Sequence, residues 1–265
     1  MKTKHLFLCL LALVACACSS SDETDQDSGK GGGYSWASVD TIPQWQMDWS
    51  YNQERPNWQE PNTSNYENWT VMLVQIEEEL QPYATPDDLM ALFVGTELRG
   101  LASPAFDVSE GDTQSTFFLL KTYGNEADNE WMDVTLMYYN SRLNHIFARM
   151  ASARFAKEQV FGIDEDFIPD FTYGSTKYPV VMSLALDATA IADANIVPTA
   201  GDKVAAFVGD ECRGAASSSG RITIYGRQEG ETVTLKYYEA TKHRVLTIDN
   251  ATKTQQQQIT SIIIQ

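Results

Sequence analysis

The stretch AAFVGDECRGAA, residues 205–216, contains residue types that a nucleophilic site needs. Glu211, Cys212 and Arg213 are consecutive, and a thiol beside a cation can ionise to the thiolate that attacks a substrate. Such a site also needs a base, usually a histidine, to accept the thiol proton. Beyond the N-terminal region the histidines are His145 and His243, and neither lies near Cys212 in the sequence. The stretch therefore forms either a catalytic site or the tip of a β-hairpin.

A second copy of this stretch precedes it in the chain. DDLMALFVGTELRGLA, residues 87–102, aligns with GDKVAAFVGDECRGAA, residues 201–216. At a constant offset, identical partners follow Asp88, Ala91, Phe93, Val94, Gly95, Glu97, Arg99, Gly100 and Ala102. Further along, VTLMYY at 134–139 is matched by VTLKYY at 233–238. Motifs that recur in the same order indicate a duplicated structural unit.

Short β-strand patterns dominate both copies. In VTLKYY, Val233, Leu235 and Tyr237 alternate with residues of the opposite face, as in a half-buried strand. Residues 144–159 have a helix-like composition, but their counterpart at 244–259 has the pattern of two strands and a turn, so we expect strands in both. We predict an all-β fold of two tandem antiparallel Ig-like β-sandwich modules. The modules span 69–161 and 178–265, with a linker at 162–177.

A tight hairpin explains the residues around Cys212 without chemistry. Gly209 and Asp210 suit a two-residue turn. This turn would place Val208 opposite Glu211, Phe207 opposite Cys212, and Ala206 opposite Arg213. The first copy has Leu98 where the second has Cys212. A position that accepts leucine or cysteine beside a phenylalanine is apolar, so we interpret Cys212 as a core residue and predict no catalytic residue.

A glutamate and an arginine recur together in both copies. Glu97 and Arg99, like Glu211 and Arg213, lie two positions apart and should project from the same face of a strand. One interpretation is a surface ion pair whose arginine stem covers apolar surface. The other is a ligand contact in which each arginine reaches a carboxylate or a sugar hydroxyl. The sequence is compatible with both.

Tryptophans are concentrated ahead of the first module. Every tryptophan except Trp131 falls within 34–69, a segment rich in proline and asparagine. We expect residues 34–68 to pack on the first module and to use their indoles as anchors. The alternative is an exposed aromatic platform for a glycan or partner protein, with Trp45, Trp49 and Trp58 as its ligand-binding residues. Exposure of the indoles distinguishes the two.

Other chemistry has little support in the sequence. The net charge of −17 excludes a nucleic-acid partner, because phosphate binding needs a basic surface. We predict no cofactor and no metal: the chain has neither a glycine-rich phosphate loop nor a cluster of histidine and cysteine. GIDEDFIPDF, residues 162–171, spaces Asp164, Asp166 and Asp170 loosely like a calcium loop, but it lacks the central glycine and terminal glutamate. A solvated linker is the preferred interpretation.

The N-terminus indicates export. MKTKHLFLCLLALVACAC begins with basic residues and an apolar run that is too short to span a bilayer, so residues 1–15 are a predicted signal peptide. LVAC and ACAC resemble the bacterial lipoprotein lipobox, which implies lipidation of Cys16 or of Cys18, with Cys16 the better fit. Residues 16–33 then form an acidic, glycine-rich tether. This stretch resembles the signal that sends Bacteroidetes-type lipoproteins to the outer face of the outer membrane.

GDKVAAFVGDECRG and GETVTLKYY, at 201–214 and 230–238, resemble a module of Bacteroidetes-type cell-surface lipoproteins marked by GDxVAAFVGDECRG. The resemblance covers both modules, although the first departs from it with DDLMALFVGTELRG. It implies a β-sandwich in an extracytoplasmic lipoprotein and no established activity. We therefore expect a non-enzymatic surface protein, held to the membrane by its lipid alone, that binds or displays a glycan or a protein. The alternatives are a structural spacer of an envelope complex and, third, a glycan-active hydrolase.

Overall fold

The computed structural model describes residues 33–107, 115–161, 167–186, 196–217, 220–256 and 259–262. Strands dominate this part of the chain, and the predicted all-β, sandwich-like fold class is confirmed. The strands are β1 (Tyr34–Ser38), β2 (Asn68–Gln75), β3 (Leu89–Val94), β4 (Glu97–Ala102), β5 (Pro104–Asp107), β6 (Ser115–Gly124), β7 (Glu130–Asn140), β8 (His145–Phe155), β9 (Val160–Phe161), β10 (Val180–Leu186), β11 (Lys203–Val208), β12 (Glu211–Ala216), β13 (Arg221–Gly226), β14 (Thr232–Glu239), β15 (Arg244–Lys253) and β16 (Ile259–Ile262). Short 3-10 helices occupy Thr63–Asn65, Gln81–Tyr83 and Thr172–Gly174.

The strands form two sets with the same pairing order. In the first set, β2 to β9, the order is β8-β7-β3-β4-β6-β2-β9, and β4 and β6 meet only at Gly100 and Thr122. In the second set, β10 to β16, the corresponding order is divided into β15-β14-β11-β12 and β13-β10-β16. The pairs β2–β9 and β10–β16 are parallel, whereas the other pairings are antiparallel. Strand β5 is an addition to the first set, and β1 is an addition to the second.

The hairpin of each set has the predicted turn but a different register. Gly209 has a φ of 59°, and Val208 and Phe207 pair with Glu211 and Cys212 as expected. Ala206 then pairs with Gly214, not with Arg213, so that prediction was wrong. A bulge adds one residue to β12, and it changes the direction in which the Arg213 side chain points. The same shift occurs between β3 and β4.

The glycine after each arginine allows the backbones to approach closely. A Cβ at Gly214 would lie 2.1 Å from the Thr223 carbonyl oxygen, and one at Gly100 would lie 2.8 Å from the Lys121 carbonyl oxygen. The Lys121 carbonyl belongs to β6, and the Thr223 carbonyl belongs to β13. A larger residue would push β4 from β6, or β12 from β13. Glycine at this position is therefore a packing requirement.

A buried aspartate precedes each hairpin. Asp88 is fully buried and accepts hydrogen bonds from the Thr85 hydroxyl at 3.0 Å and the Tyr138 hydroxyl at 2.8 Å. Asp202 is equally buried and accepts the corresponding bonds from Thr199 at 2.9 Å and Tyr237 at 2.5 Å. Each carboxylate joins the turn before a hairpin to the end of the VTLxYY strand. The aspartate of the repeated motif thus stabilises the fold.

Residues 34–58 contact both strand sets, which corrects the expectation that 34–68 packs on the first module. Strand β1 pairs antiparallel with β15, with Trp36 opposite Leu246. The chain then runs to the first set, where the Tyr51 N–H donates to the Leu143 carbonyl at 2.8 Å. The edge of β15 offered unpaired backbone groups that an extended segment could complete. We call residues 39–58 the strap.

The expectation of a solvated linker covered residues 162–171, and it was wrong for the described end of that stretch, where Pro169 and Phe171 are buried although Ile168 is exposed. Phe171 is fully buried, and Thr172 and Ser175 are nearly so. One apolar cluster combines Phe171 with Phe147 of the first set and Tyr225 of the second. A core that runs through the junction joins the two sets into one packed body.

Within the described residues, no helix has the length and apolar character needed to cross a membrane.

Candidate functional site at the junction of the strand sets

Trp49 lies at the centre of the junction. Its side chain is 3% exposed and makes edge-on contacts with Phe147, Tyr178 and Tyr225, at centroid distances of 6.1, 5.7 and 5.0 Å. Its carbonyl accepts a hydrogen bond from Nδ1 of His145 at 2.7 Å. The indole of Trp49 therefore acts mainly as a packing anchor, and only a small part of it reaches the wall of the cleft described below.

His145 fastens the strap to the linker. Its Nε2 accepts a hydrogen bond from the Lys177 N–H at 3.4 Å and lies 3.2 Å from the Ser175 hydroxyl. Burial lowers the pKa of His145 to about 4, which keeps the imidazole neutral at physiological pH. Both ring nitrogens thus have protein partners. The arrangement suits a structural role for this histidine.

The strap places one tryptophan over the hairpin of each set. Trp45 meets Phe207 and Trp58 meets Phe93, in each case edge-on at a centroid distance of 6.2 Å. The two phenylalanines occupy equivalent positions of the repeat. Both indoles are half-buried. Each of these tryptophans packs against a hairpin and leaves part of its surface accessible.

Cys212 lies on the outer side of its sheet, beside Phe207. It is half-buried and does not belong to the core cluster of the second set, so its interpretation as a core residue was wrong. The inward-facing residues of β11 are Val204 and Ala206. Partial burial raises the pKa of Cys212, and its Sγ lies 3.5 Å from the Gly214 carbonyl. A raised thiol pKa disfavours the thiolate, so Cys212 is a poor nucleophile.

Arg213 belongs to a buried ion cluster. Its side chain is 3% exposed and lies within 3.2 Å of Glu211 and of Glu231. Its Nη1 donates to the Tyr225 carbonyl at 3.1 Å, and Tyr178 donates its hydroxyl to Glu211 at 2.6 Å. Burial opposes ionisation of Glu211, but the tyrosine bond and the arginine charges outweigh it and lower the Glu211 pKa.

The first set repeats this cluster closer to solvent. Arg99 lies 2.8 Å from Glu97 and 3.4 Å from Glu126, and it donates to the Tyr123 carbonyl at 3.2 Å. Tyr66 donates to Glu97 at 2.7 Å, and its ring lies 4.8 Å from the guanidinium. Both arginines are thus paired within the protein. The surface-pair and ligand interpretations were wrong for Arg213, whose guanidinium is inaccessible.

A cleft of about 360 Å³ opens between the strap and the two strand sets. Its wall includes Trp45 of the strap, Glu79 and Tyr83 of the first set, and Arg221 of the second. Trp45 and Tyr83 are half-buried, whereas Glu79 and Arg221 are exposed. Partial burial and the carboxylates of Asp170 and Glu78 raise the pKa of Glu79. The cleft therefore combines aromatic surface with a carboxyl group and a guanidinium.

A buried carboxyl group supports the junction next to Glu79. Oε1 of Glu77 accepts a hydrogen bond from the Thr172 N–H at 2.6 Å, and the Thr172 hydroxyl donates to Asp170 at 2.7 Å. Oε2 of Glu77 is buried and accepts no hydrogen bond from the described residues. Burial, with the nearby Asp170 carboxylate, raises the pKa of Glu77 to about 7.

We expect Glu77→Gln to stabilise the protein above pH 7. The folded-state pKa exceeds the ordinary value of 4.5, so the stabilising effect of protonation is complete below about pH 4.5 and is lost as the pH rises through 7. The amide resembles the neutral carboxyl group, so we expect the free energy of unfolding at pH 8 to rise by about 1–2 kcal/mol after allowance for partial solvation. Thermal unfolding at pH 4.5 and pH 8 measures this. The exposed neighbour serves as the control, as Glu78→Gln, and equal effects of Glu77→Gln at both pH values would contradict the prediction.

Metal binding finds no support in the described part of the chain, where no group of three or more His, Cys, Asp or Glu is placed to hold an ion. Asp164 and Asp166 lie outside the described residues, as do Cys16, Cys18 and the tether up to residue 32. Asp170 is described, and its carboxylate accepts hydrogen bonds from Thr172 and Tyr173.

Several site residues had no clear signal in the sequence. Glu231 belongs to the GETVTLKYY motif, but its counterpart Glu126 lies in a loop of different length and escapes the constant offset. Glu79, Tyr83 and Arg221 carry no repeat signature, because they meet only when the two sets dock.

No protein-family model, no curated protein and no solved structure matches this chain.

Proposed function

We propose that this chain is a non-enzymatic, lipid-anchored surface protein that binds a glycan in the junction cleft. The observation that carries the proposal is the composition of the cleft wall. A pyranose has C–H faces that pack on aromatic rings and hydroxyl groups that bond to charged side chains. Trp45 and Tyr83 offer the aromatic surface, and Glu79 and Arg221 offer the polar groups. Small-ligand sites are concave and largely apolar, with a few polar groups for orientation, and this cleft has a volume in their range.

The absence of a catalytic role is part of the same proposal. His145 is neutral and held between the strap and the linker. Glu77 binds the Thr172 backbone. Glu79 is the one carboxylate among the described cleft residues, whereas glycoside hydrolysis ordinarily uses two that face each other across the scissile bond. These contacts favour binding over hydrolysis, which was the third alternative.

The anchoring part of the proposal depends on the N-terminal sequence. Lipidation of Cys16, or of Cys18, would attach the chain to the outer membrane, and the acidic tether would hold it at the cell surface. An acyl anchor needs no transmembrane helix. Under this proposal the duplicated modules, 69–161 and 178–265, form the extracellular body.

We expect Arg221→Ala and Glu79→Gln to weaken glycan binding about tenfold each, because each removes charge-assisted hydrogen bonds to hydroxyls at little cost in stability. Titration calorimetry with starch, xylan, pectin, mannan and mucin oligosaccharides measures binding, and a change in tryptophan fluorescence that Trp45→Phe abolishes supports the location of the site. Lys253→Ala, a charge change outside the cleft, should bind like the wild type. Failure of every saccharide to bind would refute the proposal.

A second candidate function is a rigid spacer or assembly subunit, and the packing of the tryptophans favours it. Trp49 is buried, and Trp36 and Trp69 lie against the cations of Arg244 and Lys121 at 3.7 and 4.7 Å from the ring centroids. Trp49 contacts Phe147 of the first set and Tyr225 of the second, so this strap residue ties the two strand sets together. A chain that binds no saccharide yet unfolds as one unit would support this candidate.

A further inference from the structure

Strand β8 is a long edge strand of the first set. It pairs with β7 along its full length, from His145 opposite Asn140 to Phe155 opposite Glu130. On its other side, the linker covers only the beginning of the strand, through a bridge between Phe147 and Ser175. Within the described residues, no strand pairs with this side at Arg149–Phe155. This stretch is an open sheet edge.

The backbone groups of the open edge can be assigned from their neighbours. The Ile146 N–H donates to Gln53 and its carbonyl accepts from Thr176, so both groups point away from β7. The Phe155 carbonyl, an odd number of residues later, accepts from the Asn129 N–H on the β7 side. Because backbone direction alternates along a strand, Met150 and Ser152 direct their N–H and C=O groups to the open side.

The equivalent edge of the second set is covered by the chain itself. Strand β15 corresponds to β8 in pairing order, and β1 completes its edge as an antiparallel neighbour. This position in the fold therefore accepts an added antiparallel strand. The first set has no such addition among the described residues beyond the bridge at Phe147.

Large apolar side chains are exposed beside the open edge. Met150 is 78% exposed, and Trp131, on the neighbouring strand, is 67% exposed. Trp131 lies opposite Arg154 and Met150 lies opposite Thr135, on the outer face of the sheet. Exposed edge strands with apolar neighbours are sites of strand addition, and proteins usually protect them.

We propose that β8 pairs with β8 of a second copy of this chain, antiparallel and about a two-fold axis at Ser152. The open stretch, Arg149–Phe155, is symmetric about this residue. Met150 would then face Arg154 of the second copy, and Arg149 would face Phe155, so no two arginines oppose each other. The small residues Ala151, Ser152 and Ala153 meet at the axis, where backbones must approach. The resulting contact is isologous, as closed dimers require.

The pairing also covers the exposed apolar groups. In this register, Met150 of one copy lies beside Arg154 of the other, which neighbours Trp131 across the strand pair. The methionine, the arginine stem and the indole form one row across the two-fold axis. A row of this kind removes from water the two most exposed large apolar side chains of the β7–β8 hairpin.

The first test is disulfide trapping with Ser152→Cys. The lipid-anchored chain is purified in mild detergent with the non-lipidated cysteines of the mature chain replaced by serine, and it is oxidised at low concentration. The two cysteines face each other at the axis, so we expect a covalent dimer as the main product. Ser217→Cys, at an exposed loop position, is the matched control and should stay monomeric. Equal cross-linking of the two variants would overturn the proposal.

The second test measures mass with Met150→Lys. A lysine in this row would face Arg154 of the second copy, so we expect the dissociation constant of the dimer to rise about tenfold, and the dimer then dissociates at about tenfold higher concentration than without the change. Leu119→Lys, at another exposed apolar side chain, is the control and should leave the dimer intact. Sedimentation velocity of the full chain in detergent gives the masses. A wild type that is monomeric up to about 100 μM, or a dimer that Met150→Lys leaves unchanged, would refute the pairing.

Discussion

Arg213→Met is expected to lower the free energy of unfolding by about 3–5 kcal/mol, the range seen when one partner of a buried ion pair is removed. The guanidinium is 3% exposed and compensates the carboxylates of Glu211 and Glu231. Methionine keeps most of the apolar volume but leaves both carboxylates with less compensation. Tyr178 and Arg227 still contact Glu211, so part of its stabilisation remains. Urea unfolding followed by circular dichroism measures the loss.

The equivalent change in the first set is a matched comparison. Arg99→Met should lower the free energy of unfolding by only about 1–2 kcal/mol, because Glu97 is 52% exposed and water can solvate its carboxylate when the arginine is lost. Adding Glu231→Gln to Arg213→Met should restore part of the stability, since it removes one of the uncompensated charges. Equal losses at Arg213 and Arg99 would show that burial does not set the strength of these clusters.

The repeated motif could be located from the sequence, and its local structure only in part. Gly209 predicted the turn, and the alternation on either side predicted the strands. The bulge at Arg213 could not be predicted, because it depends on a contact between Gly214 and the Thr223 carbonyl of another strand. The partners of the arginine, Glu231 and the Tyr225 carbonyl, also come from distant strands. Spacing along one hairpin carries no information about them.

The strap was harder to place for a physical reason. It has no hydrophobic periodicity, so no rule of strand or helix patterning applies to it. Its position is set by single aromatic anchors, Trp45 on Phe207 and Trp58 on Phe93, whose partners lie far along the chain. The junction cleft follows from this placement, because Trp45 forms one of its walls. A site assembled by docking of separate segments leaves no compact motif in the sequence.

Trp49→Ala is expected to lower the free energy of unfolding by about 3–5 kcal/mol, the range for truncating a buried aromatic side chain. The change removes contacts with Phe147 of the first set, with Tyr225 of the second, and with Tyr178 just before β10. Because these residues share one apolar cluster, the intact chain should unfold in a single transition. The alanine variant should instead unfold in two steps, with β10 to β16 and β2 to β9 no longer coupled.

Hydrogen exchange read separately on peptides from the two strand sets measures this coupling. In the wild type, the slowest amides of both sets should exchange with the same free energy, because both open only in global unfolding. In Trp49→Ala, one set should exchange faster than the other. Ile42→Ala, at an exposed position of the same strap, should preserve the common value. If the slowest amides of both sets still exchanged with the same free energy in Trp49→Ala, the strand sets would be coupled by the buried linker around Phe171 and not by the strap.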